Sequence, residues 1–344
     1  MPVSTRWPPR TVTELLRYRA EHDPDRVAYR FLDYGAASDP VVSEISYGDL
    51  DRGARAAAAA LATSGRRGGR VLFLCSPGLP YIVHFYGCLY AGMIAVPAFP
   101  PGATRNYERI DAIARDCGAT IVLTDTGETA REDADAAAGS GSVLGRARWL
   151  SVEDSGRAGG EDWTVPGATA ESLAFLQYTS GSTALPKGVM VSHGNLLANA
   201  RAAHSLFCLG PDTPMVNWVP PYHDMGLIGG VIIPLYSMFT AVHMAPAAFI
   251  RSPQRWLEAI TRYGAVVSCA PDLAYRLCAA RVGEDAKQRL DLSSWKLALS
   301  GSEPVRPEVL DQFAAAFTPC GFDKASFVPV YGLAEATLMV SAKP

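Results

Sequence analysis

Short apolar runs alternate with Ala- and Leu-rich helical stretches along almost the whole chain. The apolar runs are often β-branched and are short enough to be buried strands. They are Val27 to Leu32, Val71 to Cys75, Ile94 to Val96, Thr120 to Leu123, Leu173 to Tyr178, Ala265 to Cys269 and Leu297 to Leu299. The helical stretches between them are Asp49 to Ala62, Arg109 to Cys117, Asn195 to Phe207, Pro253 to Tyr263 and Pro307 to Phe317. This alternation predicts an α/β fold in which mostly parallel sheets are wrapped by helices.

The chain of 344 residues is too long for one ordinary core, so we expect two lobes. The stretch from Asp133 to Gly160 is rich in Ala, Gly, Ser and Asp and has little periodicity. It predicts a mobile, irregular connection or a hairpin, which makes residues 1–160 the first α/β lobe and residues 161–344 the second. The strand-like end after Tyr331 stops without a cap or a polar tail, so we expect a fragment of a larger protein.

The composition argues against several classes of protein. The net charge is only -3 and no stripe of Lys and Arg is interleaved with aromatic residues, so a nucleic acid is not an expected partner. The seven cysteines are scattered and predict reduced thiols, not a disulfide framework or a zinc site. Gly, Pro and His interrupt the most apolar stretches, and the N-terminus lacks a signal-peptide core. We therefore expect no membrane span and a cytoplasmic location.

The densest chemical signal is a loop between two extended runs, with the sequence Tyr-Thr-Ser-Gly-Ser-Thr-Ala-Leu-Pro-Lys-Gly. Its composition suits a polyphosphate, because glycines let backbone N–H groups approach closely, hydroxyls donate hydrogen bonds and Lys supplies charge. A surface hairpin rich in Ser, Thr and Gly is the alternative. The predicted phosphate-binding residues are Thr179, Ser180, Gly181, Ser182, Thr183, Lys187 and Gly188.

Two familiar loop motifs do not match this sequence. A Walker A loop has Gly before its Lys and Ser or Thr after it, whereas Pro186 and Gly188 flank Lys187 here. A Gly-x-Ser-x-Gly nucleophile turn is also absent from the sequence. The loop closely resembles the signature of the adenylate-forming superfamily, which includes acyl-CoA synthetases, peptide-synthetase adenylation domains, luciferases and fatty acyl-AMP ligases. That family usually has Gly where Ala184 stands, so we expect a slightly different loop geometry.

A second motif, Tyr-His-Asp-Met-Gly-Leu, begins at Tyr222 and leads into an apolar helix. A lone His is more often structural than catalytic. The motif nevertheless resembles the His-containing motif of the superfamily and is most similar to that of fatty acyl-AMP ligases. The resemblance implies that His223 lies near the reacting carboxylate and the α-phosphate. It also implies an acyl site with room provided by glycines, although helix packing alone is an alternative for the glycines. The expected substrate residues are His223, Asp224, Met225, Gly226 and Gly230, and Gly229 is a further glycine of the motif.

Two later segments extend the resemblance. Ser302, Glu303 and Pro304 follow a predicted strand, and capping of the next helix by Ser302 or Glu303 would account for them. In the superfamily the matching segment lines the adenine pocket. The segment Tyr-Gly-Leu-Ala-Glu-Ala-Thr closely matches a second superfamily motif, which implies adenine contacts for Tyr331, Gly332, Leu333 and Ala334.

The same motif implies that Glu335 helps to hold Mg²⁺. A carboxylate beside a triphosphate is otherwise unfavourable, and a bound metal ion reverses that sign. A solvated Glu in the first turn of a helix is the alternative.

The resemblance implies an enzyme that uses ATP and Mg²⁺ to convert a fatty acid into an acyl-adenylate with release of pyrophosphate. Lys187, His223 and Glu335 would be its catalytic residues. The acyl group would then pass to an acyl carrier protein of a polyketide or peptide synthase. A fatty acyl-CoA synthetase and a non-catalytic adenylate-binding fragment are the alternatives. The family's small C-terminal domain would lie beyond Pro344, so we expect weak turnover from this chain.

Overall fold

The structure is a computed structural model that describes residues 7–35, 39–100, 107–125, 142–155, 159–160, 163–179 and 186–343. The chain divides into two units. The first consists of Met1–Arg26 with Ser46–Leu197, and the second of Val27–Ile45 with Ala198–Pro344. Within the described residues each unit contains a largely parallel sheet flanked by helices, which confirms the predicted fold class.

The strands and helices of the described residues follow one another as the alternating pattern predicts. The strands are β1 Val27–Asp33, β2 Val41–Ser46, β3 Arg70–Leu74, β4 Ile94–Pro97, β5 Ile121–Thr124, β6 Arg148–Ser151, β7 Leu173–Tyr178, β8 Gly188–Ser192, β9 Met215–Asn217, β10 Ala241–Met244, β11 Val267–Ala270, β12 Leu297–Ser300, β13 Phe327–Gly332 and β14 Met339–Ala342. The helices are α1 Val12–His22, α2 Tyr47–Ala62, α3 Leu79–Tyr90, α4 Tyr107–Cys117, α5 Val143–Arg146, α6 Val152–Ser155, α7 His193–Leu206, α8 Ile233–Ser237, α9 Pro246–Arg251, α10 Gln254–Tyr263, α11 Asp272–Arg281, α12 Glu284–Lys287 and α13 Pro307–Phe317. A π-helix, Met225–Ile232, precedes α8.

Local sequence signals explain where several helices begin. The hydroxyl of Thr11 accepts a hydrogen bond from the backbone N–H of Glu14 at 3.0 Å and caps α1. Ser46 caps α2 in the same way, with its hydroxyl 3.1 Å from the N–H of Asp49. Each cap satisfies one of the backbone donors that the first turn of a helix leaves unpaired.

The first unit contains a sheet with the strand order β6-β5-β3-β4-β7-β8. Neighbouring strands are parallel except for β7 and β8, which form an antiparallel pair. The strands β3, β4 and β5 are almost fully buried, because helices cover both faces of such a sheet. The loop expected to bind phosphate is the connection between β7 and β8.

The irregular connection that was predicted from Asp133 to Gly160 is wrong for residues 142–155. This part forms α5, β6 and α6, and β6 pairs with β5 in parallel. The carboxylate of Asp111 anchors it, accepting hydrogen bonds from the hydroxyl of Ser142 at 2.7 Å and from the N–H of Val143 at 2.8 Å. The sequence did not reveal this structure, because the segment is rich in small polar residues and Asp111, which holds it, lies on a distant helix.

The division into units differs from the predicted boundary at residue 160. The strands β7 and β8 lie after residue 160, yet β7 pairs with β4 of the first unit. The strand β1 lies near the start of the chain, yet it pairs with β10 of the second unit. Long-range strand pairing of this kind leaves no mark in local composition.

The second unit contains a sheet with the strand order β14-β13-β12-β11-β9-β10-β1-β2. Its core includes an aromatic cluster in which Trp256 and Trp295 have ring centroids 5.1 Å apart and Tyr275 and Phe313 have centroids 5.2 Å apart, with both pairs near edge-to-face. Such pairs add stabilisation beyond the burial of apolar area. The cluster forms part of the packed core of the second unit.

Among the described residues, no helix has both the length and the apolar character needed to cross a membrane. The seven cysteines are free thiols, and all are buried except Cys208, as the scattered spacing predicted.

Candidate functional site

The stem of the phosphate-loop candidate is an antiparallel pair of strand ends. Tyr178 lies opposite Gly188, and the N–H of Thr179 lies 3.5 Å from the carbonyl oxygen of Lys187. The side chain of Lys187 is exposed and makes no ion pair with any residue that the structure describes. Its charge is therefore available to an anion. The predicted residues Ser180, Gly181, Ser182 and Thr183 lie outside the described residues.

Tyr178 fixes this stem from one side. Its hydroxyl donates a hydrogen bond to the carboxylate of Asp116, at the end of α4. A methyl group on Gly188 would lie 2.9 Å from the Tyr178 ring, so only glycine fits beside the ring. Burial raises the pKa of Tyr178, and the hydrogen bond to Asp116 raises it further. The phenol therefore stays protonated and keeps this hydrogen bond.

The other predicted segments belong to the second unit and follow neighbouring parallel strands. The strands β9, β11, β12 and β13 lie side by side and run in the same direction. The His motif follows β9, the Ser302 segment follows β12, and the Tyr331 segment includes the end of β13. Ligands of open α/β sheets bind at the carboxyl ends of the strands. Three segments that are far apart in the sequence thus meet at the edge where a ligand is expected.

His223 is held in one orientation by its neighbour in the chain. Its side chain is 50 % exposed, and its Nδ1 lies 2.7 Å from a carboxylate oxygen of Asp224. The same oxygen accepts a hydrogen bond from the N–H of Met225 at 2.6 Å. The N–H of Met225 also lies 3.3 Å from this Nδ1, so both residues that follow His223 contact the same ring nitrogen. Asp224 therefore orients His223 and begins the following helix.

That following helix is a π-helix of eight residues, whereas the sequence predicted an ordinary helix start. π-Helical turns are rare and occur often at functional sites. The hydroxyl of Tyr29, on β1, donates a hydrogen bond of 2.8 Å to the carbonyl oxygen of Val231 within it. The π-helix is thus contacted by a strand about two hundred residues earlier in the chain.

The glycines of this helix have different reasons for being glycine. A methyl group on Gly226 would collide with the carbonyl oxygen of Pro220, and one on Gly230 would collide with the side-chain amide of Asn217. Packing therefore accounts for both, as the alternative interpretation held. A methyl group on Gly229 would meet only a methyl of Leu338, at 3.9 Å. Gly229 alone among these three glycines borders unfilled space.

Met225 links the His motif to the Ser302 segment. Its sulfur accepts a hydrogen bond from the thiol of Cys269 at 3.0 Å and one from the hydroxyl of Ser302 at 3.4 Å. Burial raises the pKa of Cys269 to about 12, and the Asp224 carboxylate adds to this rise. The thiol is therefore a donor at neutral pH. Ser302 has a left-handed backbone with φ of 68°, which is uncommon for a residue with a side chain.

Glu303 has a structural partner that the sequence did not reveal. Its carboxylate accepts a hydrogen bond of 2.7 Å from the N–H of Leu273, in the first turn of α11. The next helix, α13, has Arg306 at its N-cap without a side-chain hydrogen bond. Capping of the next helix by Ser302 or Glu303 was therefore wrong. Glu303 instead fastens the segment after β12 to the helix that follows β11.

The last predicted segment presents an aromatic ring and a carboxylate. Tyr331 is 61 % exposed, and Glu335 is exposed on a single 3₁₀ turn, Ala334–Ala336. Gly332 has no room for a side chain, because a methyl group there would collide with the carbonyl oxygen of Leu338. This segment thus exposes an aromatic ring and a carboxylate that lie close together in the sequence. The backbone between them includes Gly332, which has no room for a side chain.

The donor set around Glu335 is compatible with Mg²⁺. Its carboxylate makes no ion pair or side-chain hydrogen bond with any described residue, and no cluster of three His, Cys, Asp or Glu side chains occurs among those residues. Mg²⁺ is commonly bound by one or two carboxylates with waters and substrate phosphates, not by a cage of protein ligands. One free carboxylate at this edge of the sheet fits that pattern.

Several residues that shape the site gave no signal in the sequence. Asn217 and His243 lie beneath the π-helix, with the amide nitrogen of Asn217 3.3 Å from Nδ1 of His243. Asn199, on α7, contacts the backbone after Glu335. Cys269 was noted only as a buried thiol. All four act through contacts between distant elements.

Comparison with known proteins identifies relatives of this chain. The family model of AMP-binding enzymes matches residues 16–344. The chain is 40 % identical over 336 residues to the medium-chain-fatty-acid–[acyl-carrier-protein] ligase JamA of Moorena producens, covering 97 % of this chain and 56 % of that protein. It is 37 % identical to the long-chain-fatty-acid–AMP ligase FadD32 of Mycobacterium marinum, covering 93 % of this chain and 51 % of that protein.

A solved structure gives the same result. The fatty acyl-adenylate ligase from L. pneumophila, in complex with acyl adenylate and pyrophosphate, superposes with a TM-score of 0.87 at 38 % identity, covering 96 % of this chain and 56 % of that one. The chain therefore spans about half the length of the relatives it matches. With a family model that covers nearly all of its residues and a fold shared with solved ligases, this chain belongs to the AMP-binding enzyme family.

Proposed function

We propose that the protein activates a fatty acid with ATP, forming an acyl-adenylate and releasing pyrophosphate, and that the acyl group then passes to an acyl carrier protein. The observation that carries the proposal is the edge of the second sheet, where the exposed groups of His223, Ser302, Tyr331 and Glu335 follow neighbouring parallel strands. The similarity to a fatty-acid–[acyl-carrier-protein] ligase supports the substrate class and the acceptor.

The proposed reaction needs no nucleophile from the protein. A carboxylate oxygen of the fatty acid attacks the α-phosphorus of ATP, the bond from that phosphorus to the bridging oxygen breaks, and pyrophosphate leaves with the electron pair. Catalysis then depends on positioning and on neutralisation of phosphate charge. Lys187 supplies a positive charge, and the loop from Thr179 to Thr183 supplies hydroxyl and backbone donors. His223, oriented by Asp224, contacts the reacting oxygens.

The remaining residues would bind the nucleoside and the acyl chain. Tyr331 stacks on adenine, and the backbone of Gly332, Leu333 and Ala334 lines its edge. Ser302 and Pro304 form the opposite wall, which Glu303 holds through α11. The acyl chain passes beside Gly229, where the packing leaves space. Glu335 would hold Mg²⁺, and the metal would neutralise phosphate charge when bound.

The test separates the possible products directly. The protein is incubated with ATP, Mg²⁺ and fatty acids of graded length, with and without CoA, and acyl-AMP and acyl-CoA are separated after a single turnover. We expect acyl-AMP to accumulate even when CoA is present. Lys187→Ala should reduce its formation by about a hundredfold, the loss typical of one charge-stabilising group. Lys296→Ala, a change of another exposed lysine that lies in no predicted motif, should leave the rate unchanged.

Other outcomes would contradict parts of the proposal. Conversion to acyl-CoA would identify a fatty acyl-CoA synthetase. Binding of ATP without formation of acyl-AMP would favour a non-catalytic adenylate-binding role. Failure to bind ATP would contradict the function altogether. Equal rates for Lys187→Ala and Lys296→Ala would remove Lys187 from the mechanism while leaving the reaction in place.

A further inference from the structure

The backbone just after Glu335 is strained. Thr337 has φ of 75° and ψ of -61°, a combination that a β-branched residue rarely adopts. The N–H of Leu338 donates a hydrogen bond of 3.0 Å to the carbonyl oxygen of Ala336, which completes a γ-turn of the rare positive-φ form. Strained residues of this kind persist only where surrounding contacts hold them, and they are concentrated at functional sites.

The side chain of Asn199 makes the contacts that hold this turn. Its amide nitrogen donates to the carbonyl oxygen of Ala336 at 3.4 Å and to that of Met339 at 3.0 Å. Its amide oxygen accepts from the N–H of Met339 at 3.3 Å. One side chain on α7 therefore forms hydrogen bonds with the backbone on both sides of Thr337.

The loop also closes on itself at its base. The N–H of Leu333 donates to the carbonyl oxygen of Leu338 at 3.0 Å, and Gly332 permits the close approach of that carbonyl. These contacts fix where the loop begins and ends. Glu335 lies between them on the Ala334–Ala336 turn, which the N–H of Ala336 and the N–H of Thr337 close by donating to Leu333 and Ala334 at 3.0 and 2.8 Å. Asn199 adds hydrogen bonds from another element, at the residue directly after Glu335.

We propose that Asn199 is a positioning residue for Glu335, holding the strained turn at Thr337 so that the carboxylate is in place before Mg·ATP binds. The inference rests on the proposed function, in which Glu335 binds Mg²⁺. Without Asn199, Thr337 relaxes toward negative φ and the Ala334–Ala336 turn takes several orientations. Only a fraction of molecules then presents the carboxylate correctly, and the apparent affinity falls by that fraction.

The experiment compares Asn199→Ala, Asn199→Ala with Thr337→Gly, and Asn195→Ala in the full chain. Asn195 lies one turn earlier on α7 and contacts only Ser192 in the described residues, so it is a matched control. The Kd for ATP is measured by calorimetry in Mg²⁺ and in EDTA. Amide hydrogen exchange of residues 333–339 is measured without nucleotide.

Asn199→Ala should weaken Mg·ATP binding by about tenfold and speed exchange in this loop. Binding in EDTA should change less than about twofold, because the defect acts through the metal carboxylate. Thr337→Gly should restore much of the affinity to Asn199→Ala, since glycine adopts positive φ without strain. Asn195→Ala should match the wild type. If the alanine variant does not fold, Asn199→Asp keeps the acceptor, loses both donors and should show the same metal-dependent loss.

Wild-type affinity in Asn199→Ala, equal losses in Mg²⁺ and EDTA, or no rescue by Thr337→Gly would each overturn the role of Asn199. A wild-type protein that does not bind Mg·ATP would instead overturn the proposed function on which that role depends. The two failures are therefore distinguishable.

Discussion

Acid should loosen the second unit through His243, a buried histidine beneath the π-helix. The residue is only 8 % exposed, and burial lowers the pKa of His243 from 6.5 to about 4, against a smaller opposing effect of the backbone of Gly230. The amide nitrogen of Asn217 faces Nδ1 of the ring at 3.3 Å. Val219 fixes that amide by donating to its oxygen at 3.1 Å. In a protonated ring, Nδ1 would carry a hydrogen that faces the side-chain N–H group of Asn217, which is itself a donor.

The sign and size of the effect follow from the two pKa values. Between pH 6.5 and pH 4 the unfolded chain binds a proton at His243 that the folded chain does not, so stability falls as the pH falls through this window. With a folded pKa of about 4, the loss is about 2 kcal/mol at pH 5 and approaches about 3 kcal/mol at pH 4. Above pH 7 the histidine is neutral in both states and contributes no pH dependence.

Native-state amide exchange of β10, corrected for the intrinsic effect of pH, measures this loss in the unit that contains His243. The variant His243→Asn keeps an acceptor toward Asn217 but cannot be protonated. This substitution should lower the free energy of opening at pH 7.5. Between pH 7.5 and pH 5 the free energy of opening of the variant should then fall by about 2 kcal/mol less than that of the wild type. His22→Asn, which removes an exposed histidine, should follow the wild type. An equal pH-dependent loss in His243→Asn and the wild type would refute the assignment to His243.

Other changes give equally direct tests. Gly226→Ala should destabilise the second unit by about 3 kcal/mol in urea unfolding, as overpacking against fixed backbone does, whereas Gly229→Ala should stay within about 1 kcal/mol; equal effects would contradict the packing described here. Tyr178→Phe and Asp116→Asn should each cost about 1 kcal/mol, and the double mutant no more than one of them, so additive losses would show that no hydrogen bond joins the two. In the first unit, burial lowers the pKa of His193 to about 4, and His193→Asn should reduce the acid sensitivity of that unit between pH 6.5 and pH 4; amide exchange of α1 that remains as sensitive as in the wild type would contradict this.

Much of the fold could be predicted because its signals are local. The strands from Val71 and Leu173 and the helix from Pro307 to Phe317 all have the predicted type and nearly the predicted bounds. The motif around His223 could be recognised for the same reason, since a contiguous segment carries it. Period and capping act over a few residues, and a sequence displays them directly.

What could not be predicted depends on residues that are distant in the chain. The carboxylate of Glu303 caps a helix thirty residues earlier. The hydroxyl of Tyr29 donates a hydrogen bond to the π-helix, and the carbonyl oxygens of Pro220 and Val219 leave no room for a side chain at Gly226. In each case the side chain or glycine was visible in the sequence, but its partner was not. Roles assigned from local pattern alone therefore shifted when the partners became known.

The loop after β7 and the loop after β13 arise from the same feature of sheet topology. In the first unit β7 runs parallel to β4, and the edge strand β8 then reverses direction. In the second unit β13 runs parallel to β12, and the edge strand β14 reverses direction. A reversal after a parallel strand must occur at the carboxyl edge of the sheet, whereas a crossover helix would carry the chain away from it.

The reversal therefore forces each connecting loop to lie where α/β sheets bind ligands. One loop contains the predicted phosphate residues and the other contains Glu335. In the second unit both ends of the loop lie in paired strands, which keeps Glu335 near that edge. Asn199, on the neighbouring helix α7, restricts this loop further. The reversal of an edge strand thus accounts for the position of Lys187 at the first sheet and, separately, of Glu335 at the second.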